Sequence, residues 1–460
     1  MPLSVGISNE QTTRLAMFVG SGVLLVVCAL AILYLPFIFS LMLPVALLAT
    51  IVVIRLPTES LIAIFMGRMT FDLLWFLPAG FGLNFMELFA GGVTILLVLM
   101  CLMRIDDVLA HPFLPGIALW ATLLLLGAAQ QPQARVVAEV LARFLSPMMI
   151  LLVMSIHFRE DKNRRRLVMG LVAAGFLPIV VGLFHWLTGQ ASSYQLGGYD
   201  RLNGGYMNIA DHGLAMGTFT MVAMVWLWHT RRRWKMAALV GYIVCCFFLL
   251  ILTYTRTPLL GLLTFIFAFL FLHGNRRILT IALVVAAVVM ATNGVVQDRF
   301  SDFTDFFTVD AGYRFDQLGS GRLGIWRRSI EAFLNQPFLQ ILVGNGLRSQ
   351  YLLADGQDSH SDYISLLLQV GPIGLFIWVG FQFEVARRAY RELAMQDDPW
   401  TRTLLIAIIS LAACIFICNT FTNAYVSRVT VSWFWFGMAG LVFAIQKERQ
   451  MALPEASQHT

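Results

Sequence analysis

The stretch SHSDYISLLLQVGPIGLFIWVGF, residues 359–381, leads from a polar loop directly into an apolar segment, and GNGL at residues 344–347 precedes it. The apolar part is long enough to cross a membrane as a helix, which takes roughly 20 apolar residues at about 1.5 Å per residue. His360 therefore lies where a long polar loop re-enters the membrane. Because other unusual charges gather on the same side, we interpret this boundary as a site for an anionic substrate.

The whole chain has the composition of a membrane protein. It is 58% hydrophobic and 13% charged, with a mean hydropathy of +0.76. Runs of about 17–25 apolar residues predict membrane-spanning helices, and such runs recur about 14 times. We expect an all-α polytopic integral membrane protein with about 12–14 transmembrane helices and one large periplasmic loop that carries short amphipathic helices. The predicted segments are approximately 15–35, 37–54, 58–78, 85–103, 113–129, 138–156, 166–187, 209–228, 235–252, 255–272, 278–296, 362–384, 401–420 and 428–446.

The basic residues predict the orientation. Arginine and lysine next to spans are retained in the cytoplasm, and all the clusters fall on one side of the predicted spans. Both termini are then cytoplasmic, and the first apolar run is read as a retained helix rather than a cleaved signal peptide. The clusters are too short and too close to membrane edges to indicate nucleic-acid binding. They lie at 159–166, 231–235, 276–277 and 387–391.

This orientation divides the chain into four parts. We expect an N-terminal transmembrane bundle at 1–296, a periplasmic loop at 297–361, C-terminal transmembrane helices at 362–446 and a cytoplasmic tail at 447–460. All six cysteines fall inside apolar runs, where a small buried side chain is the favoured interpretation over a metal or disulfide role.

Arginines in the outward-facing connections 188–208 and 253–257 need a reason, because such loops are normally poor in arginine. Arg201 is followed by Gly204-Gly205, and glycines let backbone approach a ligand closely. Arg256 lies in the tight turn Thr253–Pro258 at the outer interface. Each is either a structural arginine that reaches the interface or a ligand-binding group.

The long loop 297–361 contains its own helix. SGRLGIWRRSIEAFLNQP, residues 320–337, has apolar residues at helical spacing, with Ser320 as a candidate N-cap, an Arg327–Glu331 pair and Pro337 as the stop. We expect an amphipathic helix on the outer leaflet. Arg322 lies in its first turn, where free backbone N–H groups and a planar guanidinium both favour phosphate.

His360 is the candidate base. A helix N-terminus disfavours imidazolium, so a histidine just before a span can stay neutral and accept a proton at neutral pH. Asp362 is a candidate for orienting His360 or binding a sugar hydroxyl, and Asp211 is a second candidate of that kind.

Two other groups of charges have plainer interpretations. Arg68 and Asp72 share a helix face and form an ion pair that fixes a span, or else belong to a proton or ion pathway. Four acids of the long loop could form a Mg²⁺ site, but without histidine partners a solvated loop face is favoured. These are Asp298, Asp302, Asp305 and Asp310.

Taken in order, these motifs resemble the O-antigen ligase and O-antigen polymerase superfamily, membrane glycosyltransferases of the C-type class. The resemblance rests on Arg201 with its glycines, Thr255-Arg256-Thr257, Ser320-Gly321-Arg322, the GNG motif and Ser359-His360-Ser361. It covers roughly 195–385 by motif and the whole chain by topology. One departure is Ser361-Asp362, where many members have an asparagine after the histidine.

The resemblance implies a reaction. A glycan passes from an undecaprenyl-diphosphate carrier to an acceptor sugar hydroxyl on the periplasmic face of the bacterial inner membrane, with no nucleotide, metal or other cofactor. Arg201, Arg256 and Arg322 match the family's diphosphate-binding arginines, and His360 matches its histidine near the transferred sugar. The implied partners are membrane lipid, an acceptor glycan or lipid A–core and, for a polymerase, a chain-length regulator.

Three activities remain open at this point. The predicted span count exceeds that of the family's ligases, which favours a polymerase of exopolysaccharide or O-antigen repeats over an O-antigen ligase. The third class is a lipid-linked glycan transporter, which would place its critical charges at the membrane centre and use broken helices and internal repeats. Here the charges gather at the outer boundary instead.

Overall fold

The structure is a computed structural model. It describes residues 48–80, 83–129, 141–190, 195–196, 199–275, 277, 280, 321–349, 353, 356, 358–423 and 428–456. The chain forms two compact units, Met1–Ser60 and Leu61–Thr460. Predicted segments 15–35 and 278–296, most of 37–54 and the acids Asp298, Asp302, Asp305 and Asp310 lie outside the described residues.

The described chain is all-α apart from two small hairpins, as the composition predicts. The helices are α1 Pro57–Phe71, α2 Phe85–Met103, α3 Ile105–Leu109, α4 Leu114–Ala129, α5 Ser146–His157, α6 Asp161–Ala174, α7 Phe176–Leu187, α8 Ile209–Trp228, α9 Arg233–Leu252, α10 Arg256–Leu272, α11 Arg322–Leu334, α12 Phe338–Val343, α13 Asp362–Ala394, α14 Pro399–Phe421 and α15 Val429–Ala456. A 3₁₀ turn follows α1 at Asp72–Leu74, and a π-helical turn at Leu141–Leu145 precedes α5. The antiparallel hairpins pair β1 Pro78–Gly80 with β2 Leu83–Asn84, and β3 Gln195–Leu196 with β4 Tyr199–Asp200.

Four helical stretches of the described residues are long and apolar enough to cross a membrane. They are Asp161–Leu187, Arg233–Leu252, Asp362–Ala394 and Pro399–Phe421, with shorter apolar helices at Phe89–Met103, Leu114–Ala129, Arg143–His157 and Arg256–Leu272. The protein is therefore a multi-pass membrane protein. Several helices are longer than their predicted spans: α13 continues to Ala394, and α15 runs on to Ala456 through the predicted tail.

The helices pack in pairs that bring distant parts of the chain together. The closest packing joins α10 to α14, α15 to α5, α8 to α9, and α13 to α14. The last two long helices lie deepest, with most of α14 and the first half of α15 buried. As a result, the starts of α10 and α13 and the end of α14 lie side by side.

Helix α13 is broken where the sequence has Gly371-Pro372. Gly371 adopts φ 69° and ψ −179°, a conformation that only glycine takes readily. Proline has no N–H, so the Leu368 carbonyl loses its helical donor. The GNG loop replaces it: the Asn345 N–H donates to Leu368 O at 2.9 Å, and the Gly346 N–H to Gln369 O at 3.1 Å. The motif therefore fastens the long loop to the half of α13 that begins just after His360.

We expect Gly344→Ala to lower the thermal stability of the protein. Gly344 has φ 85°, and a Cβ there would lie 2.3 Å from the Gln369 carbonyl carbon and oxygen. Overpacking of this kind typically costs about 1–3 kcal/mol. The check is the melting temperature in detergent beside that of Gly356→Ala, because Gly356 has φ 79° with nothing within 4 Å of the added carbon. Equal melting temperatures for both variants would contradict the fastening role.

The amphipathic helix predicted in the long loop exists as α11, and one detail of the prediction was wrong. The N-cap is Gly321, in a left-handed conformation with φ 80°, and no side chain caps the helix. The Arg327–Glu331 pair is present at 3.9 Å on the exposed face. The helix ends at Leu334, three residues before Pro337, which is the N-cap of α12.

Candidate functional site

The carbonyl of Phe421, at the end of α14, joins two of the predicted site elements. It accepts hydrogen bonds from Thr257 Oγ1 at 3.3 Å and from Arg322 Nη1 at 2.6 Å. Thr257 lies one residue after Arg256, so the first turns of α10 and α11 meet here. A short hydrogen bond from a guanidinium is charge-assisted and holds Arg322 firmly.

Positive charge is concentrated at this junction. Burial lowers the pKa of Arg322, and the nearby positive charges of Arg256 and Arg428 lower it further, while Asp358 acts in the opposite direction. Like charges on three separate elements repel one another unless an anion shares them. The structure thus places Arg256 and Arg322, two of the candidate diphosphate-binding residues, near each other, and adds Arg428.

Arg201 is tied to the turn that carries Arg256. Its Nε donates to the Thr253 carbonyl at 3.0 Å, and the Leu202 N–H donates to Leu252 O at 3.0 Å. The turn is tightened further by a 2.5 Å hydrogen bond between the Thr253 and Thr255 hydroxyls. Arg201 and Arg256 therefore flank one short segment between α9 and α10.

The glycines after Arg201 approach a protein side chain. Gly204 has φ 54°, and a Cβ at this position would lie 2.3–2.6 Å from three atoms of the His212 ring. His212 is fully buried. The close approach that the sequence suggested for a ligand is made to His212, and it fixes the loop that carries Arg201.

His360 lies at the rim of the arginine group. Its side chain is half exposed, and its Nδ1 lies 4.0 Å from Asp358 Oδ2. The backbone is left-handed at φ 50°, and its N–H donates to Asp358 Oδ1 at 3.2 Å. Partial burial lowers the pKa of His360, Asp358 opposes this, and Arg322 and Arg428 add to the lowering. The imidazole is thus held in its neutral form, the form that can accept a proton.

The loop that carries His360 is fastened on two sides. Trp326 Nε1 donates to the Ser359 carbonyl at 2.6 Å, which ties α11 to the loop. Ser361 caps α13, and its hydroxyl donates to Asn419 O at 3.3 Å. Trp326 is thus a contact inside the site.

The two candidate orienting acids lie in different places. Asp362 is fully buried in the first turn of α13, and the carboxylate within 4.0 Å of His360 belongs to Asp358. Asp211, in the first turn of α8, forms a short ion pair with Arg428. Asp211 is therefore the ion-pair partner of Arg428, the arginine that was not among the predicted site residues.

A second ion pair lies near this one. Arg68 Nη1 and Asp72 Oδ1 are 3.1 Å apart, as the i,i+4 spacing predicted. Asp72 also accepts a short hydrogen bond from Thr430, two residues after Arg428. The ends of α1 and α8 and the start of α15 are thus connected by charged side chains.

Four contributors to the site did not come from the sequence reasoning: Asp358, the Phe421 carbonyl, Asn423 and Arg428. Arg428 carried a usable signal, since it is an arginine at the start of the predicted span 428–446, much as Arg256 lies at the start of 255–272. A backbone carbonyl such as that of Phe421 has no sequence signature. Among the described residues no group of three or more His, Cys, Asp or Glu side chains is arranged to hold a metal ion.

Comparison with known proteins finds a similarity over part of the chain. Residues 241–379 match the family described as O-antigen ligase, a range that includes Arg256, Arg322 and His360 and excludes Arg201 and Arg428. No curated protein matches the chain. The match supports an enzyme of the O-antigen ligase and polymerase type, that is, a glycosyltransferase in general. Residues 241–379 are thus similar to the O-antigen ligase family, which supports the resemblance predicted from the motifs.

Proposed function

We propose that this protein transfers a glycan from an undecaprenyl-diphosphate carrier to an acceptor sugar hydroxyl at the periplasmic face of the bacterial inner membrane. The observation that carries the proposal is the meeting of Arg256, Arg322 and His360 at the end of α14, at the boundary of the predicted spans. The two arginines can bind a diphosphate, and the neutral histidine can accept the proton of a sugar hydroxyl.

The arginines suit the leaving diphosphate. Charge develops on the leaving oxygen as the sugar departs, and donors fixed in advance stabilise that charge more than the ground state. Arg322 and Arg256 both lie in the first turns of helices, where unpaired backbone N–H groups also favour anions. Arg201 is proposed as the third diphosphate ligand, reached across the turn at Thr253.

His360 is proposed as the base of a single inverting displacement. Its imidazole takes the proton of the acceptor hydroxyl while that oxygen forms a bond to the anomeric carbon. The bond from the anomeric carbon to the carrier phosphate breaks, and its electron pair leaves with undecaprenyl diphosphate. The proton then passes from His360 to solvent. No metal or other cofactor takes part in the proposed step.

The other ends of the helices support the proposed orientation. Ion pairs gather there, far along the helices from His360, and they include Arg164 with Glu448 at 2.8 Å and Arg449 with Glu392 at 2.9 Å. Basic residues at span ends are typical of the cytoplasmic side. The site would then face the periplasm, with both termini in the cytoplasm.

We propose polymerisation of exopolysaccharide or O-antigen repeat units as the activity, on the basis of the predicted span count. The second candidate is ligation of the glycan to lipid A–core, and the description of the matched family favours it. A transporter is the third. The Arg68–Asp72 pair gives it little support, since both groups are held in a structural ion pair.

The test is the glycan profile of a deletion strain complemented with the wild-type protein or with His360→Ala. Single repeat units accumulating on the carrier, without long chains, would establish a polymerase. Long chains on the carrier that are missing from lipid A would establish a ligase. An unaltered profile after deletion would contradict both transferase proposals.

On the acid side of the pH profile, the reaction rate should begin to fall only at an unusually low pH. Burial, Arg322 and Arg428 lower the pKa of His360 more than Asp358 raises it, so the neutral base persists below the ordinary value of about 6.5. Activity is expected to be complete above that pH and to fall only as the pH drops through the lowered pKa. The pH dependence of kcat/KM in proteoliposomes checks this, because it reports the pKa of the substrate-free enzyme. A midpoint at or above about 6.5 would contradict the prediction.

A further inference from the structure

Asp358 lies between His360 and the end of α14. One carboxylate oxygen, Oδ1, accepts the His360 backbone N–H at 3.2 Å. The other, Oδ2, faces the ring nitrogen Nδ1 at 4.0 Å. A carboxylate placed on the Nδ1 side of an imidazole leaves Nε2 as the atom that can accept a proton from a substrate.

Asn423 holds this carboxylate. Its Nδ2 donates a short hydrogen bond to Asp358 Oδ1, across 65 positions of the chain, and its Oδ1 accepts one from Ser365 Oγ at 3.4 Å. An ionised carboxylate only accepts hydrogen bonds, so the amide NH₂ must face Asp358. Asn423 is 2% exposed, and it lies two residues after Phe421, whose carbonyl binds Arg322.

We propose that Asn423 and Asp358 are positioning residues for His360, and that together they fix the tautomer in which Nε2 is the base. The inference rests on the proposed function and deepens it. Asn423 orients the carboxylate, and the carboxylate orients the ring through Nδ1–H. When Nε2 takes the acceptor proton, the resulting imidazolium is stabilised by the adjacent Asp358 carboxylate.

The distance from Nδ1 to Oδ2 is about 1 Å longer than a hydrogen bond. Catalytic hydrogen bonds are often long before substrate binds and tighten in the complex. The half-exposed ring has room to move toward Asp358, whereas Asp358 itself is held by Asn423. The charged groups that face His360 are Asp358 on its own loop, Arg322 on α11 and Arg428 before α15. Asp358 is the one among them that favours imidazolium.

The experiment measures kcat, KM for the acceptor and the pH dependence of kcat for the full chain in proteoliposomes, with lipid-linked glycan extracted from the deletion strain as donor. For Asp358→Asn we expect kcat to fall roughly 10- to 100-fold, as for carboxylate partners of other functional histidines. KM should change little. The acid limb should move to lower pH, because a neutral amide no longer stabilises imidazolium.

Matched variants separate positioning from a merely structural role. Asn423→Ala should lower kcat, and the double variant Asn423→Ala/Asp358→Asn should be no slower than Asp358→Asn alone, since both act through one contact. Asp358→Glu keeps the charge, so its acid limb should stay near that of the wild type even if kcat falls. Glu331→Gln, an exposed carboxylate paired with Arg327 on α11, should behave as wild type.

The possible results test the positioning role of Asp358 and Asn423 separately from the proposed glycan transfer. An unchanged acid limb and kcat in Asp358→Asn, with His360→Ala inactive, would overturn the positioning role and leave the proposed function standing. Additive losses in the double variant would also overturn it. A fully active His360→Ala would instead overturn the proposed function.

Discussion

Replacing His360 with alanine is expected to lower turnover by roughly 10²- to 10⁴-fold, the usual contribution of a general base. Binding of the lipid-linked donor should persist, because Arg256 and Arg322 are held by other contacts. Arg322 is bonded to the Phe421 carbonyl, and Arg256 opens α10 beside Thr257, which shares that carbonyl. The measurement is kcat in proteoliposomes together with donor binding to the same preparation.

The matched variant for this prediction is His360→Gln. Glutamine can make hydrogen bonds but cannot accept a proton at neutral pH, so it should be as inactive as alanine. Full activity in His360→Gln would mean that the side chain only binds the acceptor. Loss of donor binding in both variants would mean that His360 holds the carrier and is not the base.

Replacing Arg322 with alanine should weaken use of the donor. Hydrogen bonds to charged groups contribute about 1.5–3 kcal/mol, which corresponds to a loss of roughly 10- to 100-fold in kcat/KM for the donor. A second loss is structural, since Arg322 also joins α11 to Phe421. Arg322→Lys should recover little, because an ammonium cannot reproduce the planar fork of a guanidinium.

The control is Arg327→Ala on the same helix. Arg327 is exposed and pairs with the exposed Glu331 at 3.9 Å. Exposed ion pairs contribute about 0–1 kcal/mol, so this variant should keep nearly full activity. Equal losses of kcat/KM in Arg322→Ala and Arg327→Ala would show that any positive charge on α11 has the same effect. That result would contradict a defined diphosphate site.

Much of the architecture could be predicted because the length of an apolar run, and the charges beside it, can be read from a short stretch of sequence. The turn that carries Arg256, the helix that begins at Arg322 and the start of α13 after His360 all fall where the pattern predicted them. Each is a boundary between polar and apolar residues, which hydropathy locates well. The N-cap of α11 was misplaced because a left-handed glycine replaced the side-chain cap.

The partners of the site could not be predicted, because each joins residues far apart in the chain. Arg322 and Phe421 are 99 positions apart, and Arg428 and Asp211 are 217 apart. A sequence pattern reports which face of a helix is apolar, but it does not report which helix ends meet. Gly204 illustrates the same limit: its need for a small side chain is plain, whereas its neighbour, His212, is visible only in three dimensions.

We propose that this protein breaks the bond between a glycan and a lipid diphosphate. The most direct measurement is release of undecaprenyl diphosphate when the purified full chain in proteoliposomes receives lipid-linked glycan and acceptor, followed by mass spectrometry. For the wild type we expect carrier release matched by an equal amount of transferred glycan, and for His360→Ala neither product. Movement of intact lipid-linked glycan across the vesicle membrane, with no carrier released, would contradict it.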